Sequence, residues 1–387
     1  MNNSHESASW ADQEDFTCNL LILGKTGVGK SSLLNYLAGE DLAKAGTGRP
    51  VTGEGLYPFM TTFGNRQRVQ VFDSWGLEAG KDKSWEALIK RSLVDHGVHQ
   101  NMKDWFHAIV YCIGGGGHRI EPIDTSIIRT FLDDGYHLVI AITKSDQIED
   151  EVEVGLKLKK TLLEDLGLSR SLSAPGISHL RIIDVCSTEK VLRGGKQVLP
   201  FGKEHLITAI LEGWRQTILS KLPDHCIVKM EKLISDWEKR TIDDLSRKKV
   251  SGFKEENREI YDWIAASYES FLKTFENDSK LILDKAVQQC NFVGNSLLKA
   301  LSWSGMEKRE NLSFWLLKTS GDWTTTVGRV VLAIFTLGIG LVLRSTKDKE
   351  DETWNMKQAI SDAAERLRKD LAKRRSEIQS SIRVALS

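Results

Sequence analysis

Residues 24–31 read GKTGVGKS, directly after the apolar run 20–23 and before the helix-forming stretch 32–38. Few folds accommodate such a run. A strand must end abruptly, glycines must let backbone N–H groups turn inward on phosphate oxygens, and a helix N-terminus must come next with the positive end of its dipole. Gly24, Gly27 and Gly29 supply the permissive backbone. Lys30 would reach the terminal phosphates of a nucleoside triphosphate, and the Ser31 hydroxyl would complete the shell of a magnesium ion. The whole run Gly24, Lys25, Thr26, Gly27, Val28, Gly29, Lys30, Ser31 and Ser32 is the expected nucleotide-binding loop. The bland alternative is a chance glycine-rich turn, against which the preceding strand and following helix both weigh.

The 387 residues suffice for two domains. Lys and Arg number 53 and Asp and Glu number 53, so no global charge argues for nucleic acid. Cys18, Cys112, Cys186, Cys226 and Cys290 are widely spaced and form no CxxC pair, the pattern of buried thiols in a reducing compartment. Residues 1–16 are polar and acidic with no apolar core, which predicts a disordered leader over 1–15 and a cytoplasmic protein.

From 16 to 222 short β-rich runs alternate with helical patterns. Strands are predicted at 17–23, 57–63, 68–72, 107–113, 137–143 and 180–186, and helices at 30–38, 84–106, 124–133, 150–166 and 203–221. The fold class is therefore α/β, a mostly parallel sheet with helices on both faces. In such sheets ligands bind beyond the carboxyl ends of the strands. Past Pro223 the strand signal stops, and 223–387 is predicted to be an all-helical domain. Ile260, Ile264, Phe271, Phe275, Ile282, Ala286, Val293 and Leu297 mark one face of a helix over 257–301. Met356, Ile360, Ala363, Leu367, Leu371, Ile378 and Ile382 do the same over 355–386. That last helix carries eight basic and four acidic residues, which suits an anionic partner but suits a solvated face better.

The residues just beyond the other strands identify the nucleotide. After 68–72 comes DSWG, in which Asp73 could hold magnesium through water and the Gly76 amide could report on the γ-phosphate. Thr52, 21 residues after Ser31 and 21 before Asp73, is placed to close on magnesium from a mobile loop; Thr47, Thr61 and Thr62 compete for that role. After 137–143 comes TKSD. The Asp146 carboxylate could accept from N1–H and the 2-amino group of guanine, an arrangement adenine cannot reproduce. Lys144 would lay its stem over the base, and Thr143 is expected to give a weaker tethering hydrogen bond than an asparagine at that position would. Ser187, in the run Cys186-Ser187-Thr188, is placed to offer an N–H to the guanine carbonyl, although alone it reads as an ordinary strand-to-loop turn.

With these motifs in order, residues 16–222 resemble a Ras-like G domain of the translation-factor-related P-loop GTPases. The loop GKTGVGKSS, the segment PVT at 50–52 and TKSD most resemble the septin-like, dynamin-like and immunity-related branches. YCIGGGGHRIEPID at 111–124 resembles allied bacterial GTPases. The resemblance implies GTP and GDP as ligands, magnesium, and slow hydrolysis of GTP to GDP and phosphate. It also implies a departure. Where Ras-like members place a glutamine to orient the attacking water, this chain has Leu77, whose side chain cannot do so. The branches resembled often compensate by pairing G domains as a homodimer, and Arg49, His118 and Arg119 are the candidate donors, each with the dull alternative of a solvated loop residue. The asparagine that binds potassium in some dimerising relatives falls at Gly27, so that route is absent.

Residues 330–343, VVLAIFTLGIGLVL, carry no charge and are bounded by Arg329 and Arg344. Fourteen residues are short of the roughly 20 that span a bilayer. With the apolar stretch 312–317 they suggest a helical hairpin turning at Gly321 and Asp322. Three readings stay open: a buried core hairpin, a membrane-inserting tip and a true span. The expected role is a nucleotide-dependent switch, with a dynamin-like or immunity-related GTPase peripheral to a membrane surface set against a soluble regulatory GTPase that binds a protein or ribosomal partner.

Overall fold

The computed structural model describes residues 17–42, 55–63, 67–74, 82–115, 120–147, 153–168, 180–191, 197–251, 257–302, 349–373, 375, 376 and 378. The chain divides into two compact units, Met1–Lys221 with Phe292–Trp315 and Leu222–Asn291 with Leu316–Ser387.

The first unit is a six-stranded sheet alternating with helices. In chain order the elements are β1 (Cys18–Gly24), α1 (Lys30–Ala38), β2 (Leu56–Phe63), β3 (Gln67–Ser74), α2 (Asp82–Asp95), β4 (Ala108–Gly114), α3 (Pro122–Asp133), β5 (Leu138–Thr143), α4 (Glu153–Asp165) and β6 (Leu180–Asp184). A small hairpin, β7 (Lys190–Val191) and β8 (Gln197–Val198), precedes α5 (Lys203–Leu245). The strand order is β2-β3-β1-β4-β5-β6, with β2 antiparallel to β3 and every other pairing parallel. Strands β1, β4 and β5 are buried along their whole length, as continuous apolar runs in a sheet covered on both sides should be. One face packs Leu21, Leu23, Ile109, Tyr111, Leu138 and Ile140 against Trp85, Ile127, Phe131 and Leu162 of the helices. On the other side α5 closes on the start of β5, where His137 N donates to Thr217 Oγ1. The approach is close: a Cβ at Gly213 would lie 2.8 Å from the His137 ring.

The sheet positions the site. The chain leaves β1 for β3 on one side and β4 on the other, so the carboxyl end of β1 is the topological switch point where a ligand crevice opens.

Two helix boundaries differ from the expectation. The helix predicted over 84–106 ends at Asp95, and a single 3-10 turn, Met102–Asp104, comes after it. Gly97 lies just past that end, where the chain passes so close to the Leu93 carbonyl oxygen that a Cβ would be 2.3 Å from it, a turn open to glycine. The segment beyond folds back on itself, with Phe106 N donating to His96 O and Trp105 Nε1 to Gln100 O. The helix predicted over 203–221 instead continues through Pro223 to Leu245. Proline removes one helical hydrogen bond, but its fixed φ suits the helix, and buried Cys226, Met230 and Ile234 hold the turns beyond it.

The second unit is helical among the described residues. It contains the later part of α5, most of α6 (Arg258–Ser302) and α7 (Lys349–Lys373). Ile264, Phe271, Phe275 and Ala286 of the predicted face of α6 are buried, as are Met356, Ile360, Ala363, Leu367 and Leu371 of α7. Trp237 stacks on Phe271 at 5.1 Å between ring centroids. Some of the basic charge on the last helix is neutralised inside the unit: Arg368 pairs with Glu238 at 2.6 Å and Arg375 with Asp224 at 2.6 Å. Among the described residues no helix is long and apolar enough to cross a membrane. The segments 312–317 and 330–343 lie outside the described residues.

Candidate functional site

The loop after β1 has the backbone that phosphate binding demands. Gly24, Gly27 and Gly29 adopt φ of 140°, 78° and 102°, and Gly29 is the N-cap of α1 with no side-chain cap, which leaves the first-turn N–H groups for a ligand. Gly24 is needed twice over, because a Cβ would lie 2.5 Å from the Cys112 carbonyl oxygen on β4. Thr26 and Gly27 are exposed at the loop tip, while Val28 is buried beneath it.

Lys30 opens α1 and is buried, its Nζ donating to Gly24 O and Lys25 O at 3.0 Å each. Burial lowers its pKa, while the negative charge of Asp73 acts in the opposite direction. Asp73 is the penultimate residue of β3, opposite Ile22 in the parallel ladder. Burial pushes its carboxyl up to about 6, against the opposing pull of the Lys30 charge and the Ser31 hydroxyl that hydrogen-bonds it. Asp73 Oδ1 is buried with no hydrogen-bond partner. A carboxylate with a spare oxygen beside a serine hydroxyl, next to a loop that attracts anions, is a donor set that suits a hard divalent cation, so these residues fit magnesium.

The structure brings the third motif onto the same loop. Thr143 Oγ1 donates to Val28 O and lies 3.2 Å from Ile113 O. Lys144 has a φ of 52°, the one positive value at a non-glycine residue among those described, and its Nζ donates to Gly27 O at 2.7 Å. Asp146 lies in a 3-10 turn, Ser145–Gln147, just beyond. Its side chain is fully buried, Oδ2 accepting from Lys190 Nζ at 2.8 Å and Oδ1 from Cys186 Sγ at 3.4 Å. Burial alone would raise its pKa; the Lys190 and Cys186 hydrogen bonds and the Lys190 charge outweigh that and lower it. Ser187 comes directly after Cys186, half-buried, where β6 has ended.

Two groups went unnoticed in the sequence. Lys190 is one. The other is a network behind the loop, in which Lys25 Nζ reaches Asp124 Oδ2 at 2.6 Å and Glu121 Oε2 at 3.2 Å, and Tyr111 OH donates to Asp124 Oδ1 at 2.6 Å. The legible signal was Glu121-Pro122 with Asp124 at the third helical position, a capping box that the structure forms. Arg49, Thr52, Gly76, His118 and Arg119 lie outside the described residues, as does Leu77.

Residues 19–144 match the family model described as 50S ribosome-binding GTPase. Among curated proteins, GTPase Der of Parvibaculum lavamentivorans is 28% identical over 202 residues, which is 52% of this chain and 40% of that protein. Translocase of chloroplast 108 of Physcomitrium patens is 38% identical over 72 residues, 19% of this chain and 7% of that protein. The chain thus spans less than half the length of these relatives. Among solved structures, Toc33 from Arabidopsis thaliana in complex with GDP and Mg2+ is 20% identical and covers 52% of this chain and 84% of that one, with a TM-score of 0.37. Residues 19–144 are thus the part of the chain that carries the P-loop GTPase domain.

Proposed function

We propose that this protein binds GTP and GDP with magnesium, hydrolyses GTP to GDP and phosphate, and uses the nucleotide as a switch read by its helical half. The carrying observation is that Lys30 opens α1 just beyond β1, Asp73 lies in the last two residues of β3, and the turn with Asp146 just beyond β5 is tied to the phosphate loop through Thr143 and Lys144. The loop from Gly24 to Ser32 would cradle the phosphates through its N–H groups, with Lys30 Nζ leaving its two carbonyls for phosphate oxygens. Ser31 and Asp73 would hold the magnesium ion, together with Thr52. When bound, that ion neutralises charge developing on the phosphate oxygens. Asp146 would read the guanine edge, Ser187 its carbonyl.

Leu77 makes this a slow hydrolase by itself. Pairing of two G domains, with Arg49, His118 or Arg119 supplied across the pair and the Gly76 amide on the γ-phosphate, is the proposed stimulus. The finer role is a dynamin-like or immunity-related GTPase at a membrane surface. It rests on the resemblance of the motifs and on the uncharged run 330–343. A second reading, a regulatory GTPase with a ribosomal partner, is favoured by the description of the matching family model.

The test is nucleotide binding by two variants. Lys30→Ala should abolish GTP and GDP binding, and Asp146→Asn should shift preference from guanine toward xanthine nucleotide. Ordinary GTP affinity in both would overturn the assignment.

A further inference from the structure

The two oxygens that would read guanine are both taken. Lys190 Nζ donates to Asp146 Oδ2 and Cys186 Sγ to Asp146 Oδ1, leaving the side chain fully buried. A buried carboxylate without a partner is costly, and the Lys190 ammonium is the cation that offsets that cost here. Lys190 is suited to a temporary stay. It lies on the β7–β8 hairpin, whose base is fixed by the reciprocal bonds Cys186 N to Phe201 O and Phe201 N to Cys186 O, at 3.1 and 2.9 Å. Its side chain is 32% exposed, and the next residue, Val191, is 70% exposed. The ammonium therefore has an open route to water along a flexible stem, while Asp146 has none.

We propose that Lys190 is a built-in competitor for the guanine edge. It occupies Asp146 Oδ2 and must swing to solvent when the 2-amino and N1–H donors of a guanine nucleotide arrive. The inference rests on the guanine reading above. It predicts that Lys190 weakens nucleotide affinity and slows entry, because each binding event first breaks the Lys190–Asp146 ion pair. Lysine suits this role better than arginine, whose fork would hold both oxygens at once and leave less readily.

Binding of GDP carrying a fluorescent ribose label, tracked by stopped flow on the full chain, tests this. Lys190→Met should raise GDP affinity and the association rate about fivefold, the scale of one displaced part-exposed ion pair. The same substitution should lower the thermal midpoint of the nucleotide-free protein, where Asp146 keeps only the Cys186 hydrogen bond of these two, and lower it less when GDP is saturating. Lys190→Arg should bind no faster than the unaltered protein. Unchanged or weaker GDP binding by folded Lys190→Met, with the unaltered protein binding GDP normally, would overturn the competitor and leave the guanine reading intact. Absence of GDP binding by the unaltered protein would overturn the guanine reading and the competitor with it.

Discussion

Thr143 Oγ1 donates to the main-chain carbonyl of Val28, 115 positions earlier in the chain. That bond, with Lys144 Nζ on Gly27 O, makes the phosphate loop and the base-reading turn one rigid piece. Preorganisation of this kind lowers the cost of ordering a site around its ligand. Thr143→Val removes the donor and leaves the buried Val28 carbonyl unsatisfied, so guanine nucleotide affinity should fall about tenfold and stability by about 1–2 kcal/mol. Thr143→Ser keeps the hydroxyl and should recover most of both. Calorimetric titration with GDP and urea unfolding of the two variants measure the effect.

The glycines of the loop are not equivalent, and stability measurements should separate them. At Gly27 a Cβ meets nothing within 4 Å, so alanine there incurs only the strain of a φ of 78°, about 1–2 kcal/mol. At Gly24 the same substitution adds a backbone clash, 2.5 Å from the Cys112 carbonyl, which neither strand can relieve without breaking the β1–β4 ladder. Gly24→Ala should therefore cost several kcal/mol, on the order of 3 or more, and shift the urea midpoint well beyond Gly27→Ala. Equal midpoints would count against the register of β1 on β4.

Much of the fold was legible because the sheet is buried on both faces. Each central strand is then a short apolar run, and α1 begins where the glycines end, at Lys30 as predicted. The helix ends were harder. Past the end of α2 the chain turns at Gly97 so close to the Leu93 carbonyl that no side chain would fit, and Pro223 fails to stop α5 because buried side chains beyond it outweigh one lost hydrogen bond; neither outcome is written in local propensity. The partners of the site residues were the least legible. Lys190 comes 44 residues after the carboxylate it pairs with, and Lys25 lies 99 before Asp124, so only the packed fold brings them together.

His107 gives the fold a response to acid. Its Nδ1 accepts from Asn19 N and its Nε2–H donates to Met102 O, so the neutral ring serves as both acceptor and donor at the foot of β1. Burial lowers its pKa to about 4, against an ordinary value of 6.5. Between these values the unfolded chain takes up a proton that the folded chain refuses. The contribution of His107 is thus complete above pH 6.5, shrinks as the pH falls, and stops changing below about 4. From pH 7 to 5 this amounts to about 2 kcal/mol of lost stability. Urea unfolding at both values should show that loss, and His107→Gln, less stable at pH 7, should show a smaller pH dependence by about the same amount.

Asp124 ties the phosphate loop to the first turn of α3, and its three bonds predict an order of damage. The buried carboxylate accepts from Lys25 Nζ and Tyr111 OH at 2.6 Å and from Glu121 N at 2.8 Å. Every neighbour is a donor, so Asp124→Asn must turn an N–H2 toward one of them and remove the charge that balances Lys25. Tyr111→Phe only deletes one donor and leaves the carboxylate two others. Asp124→Asn should cost about 2–4 kcal/mol and Tyr111→Phe about 1–2 kcal/mol in urea unfolding. Lys25→Met should fall near the smaller figure, since the oxygen it leaves still accepts from Glu121 N. Combined with Asp124→Asn, Lys25→Met should add little further loss, because the bond it removes is already gone. Full additivity of the two would mean that Lys25 and Asp124 act separately, and that the loop is held to α3 by some other contact.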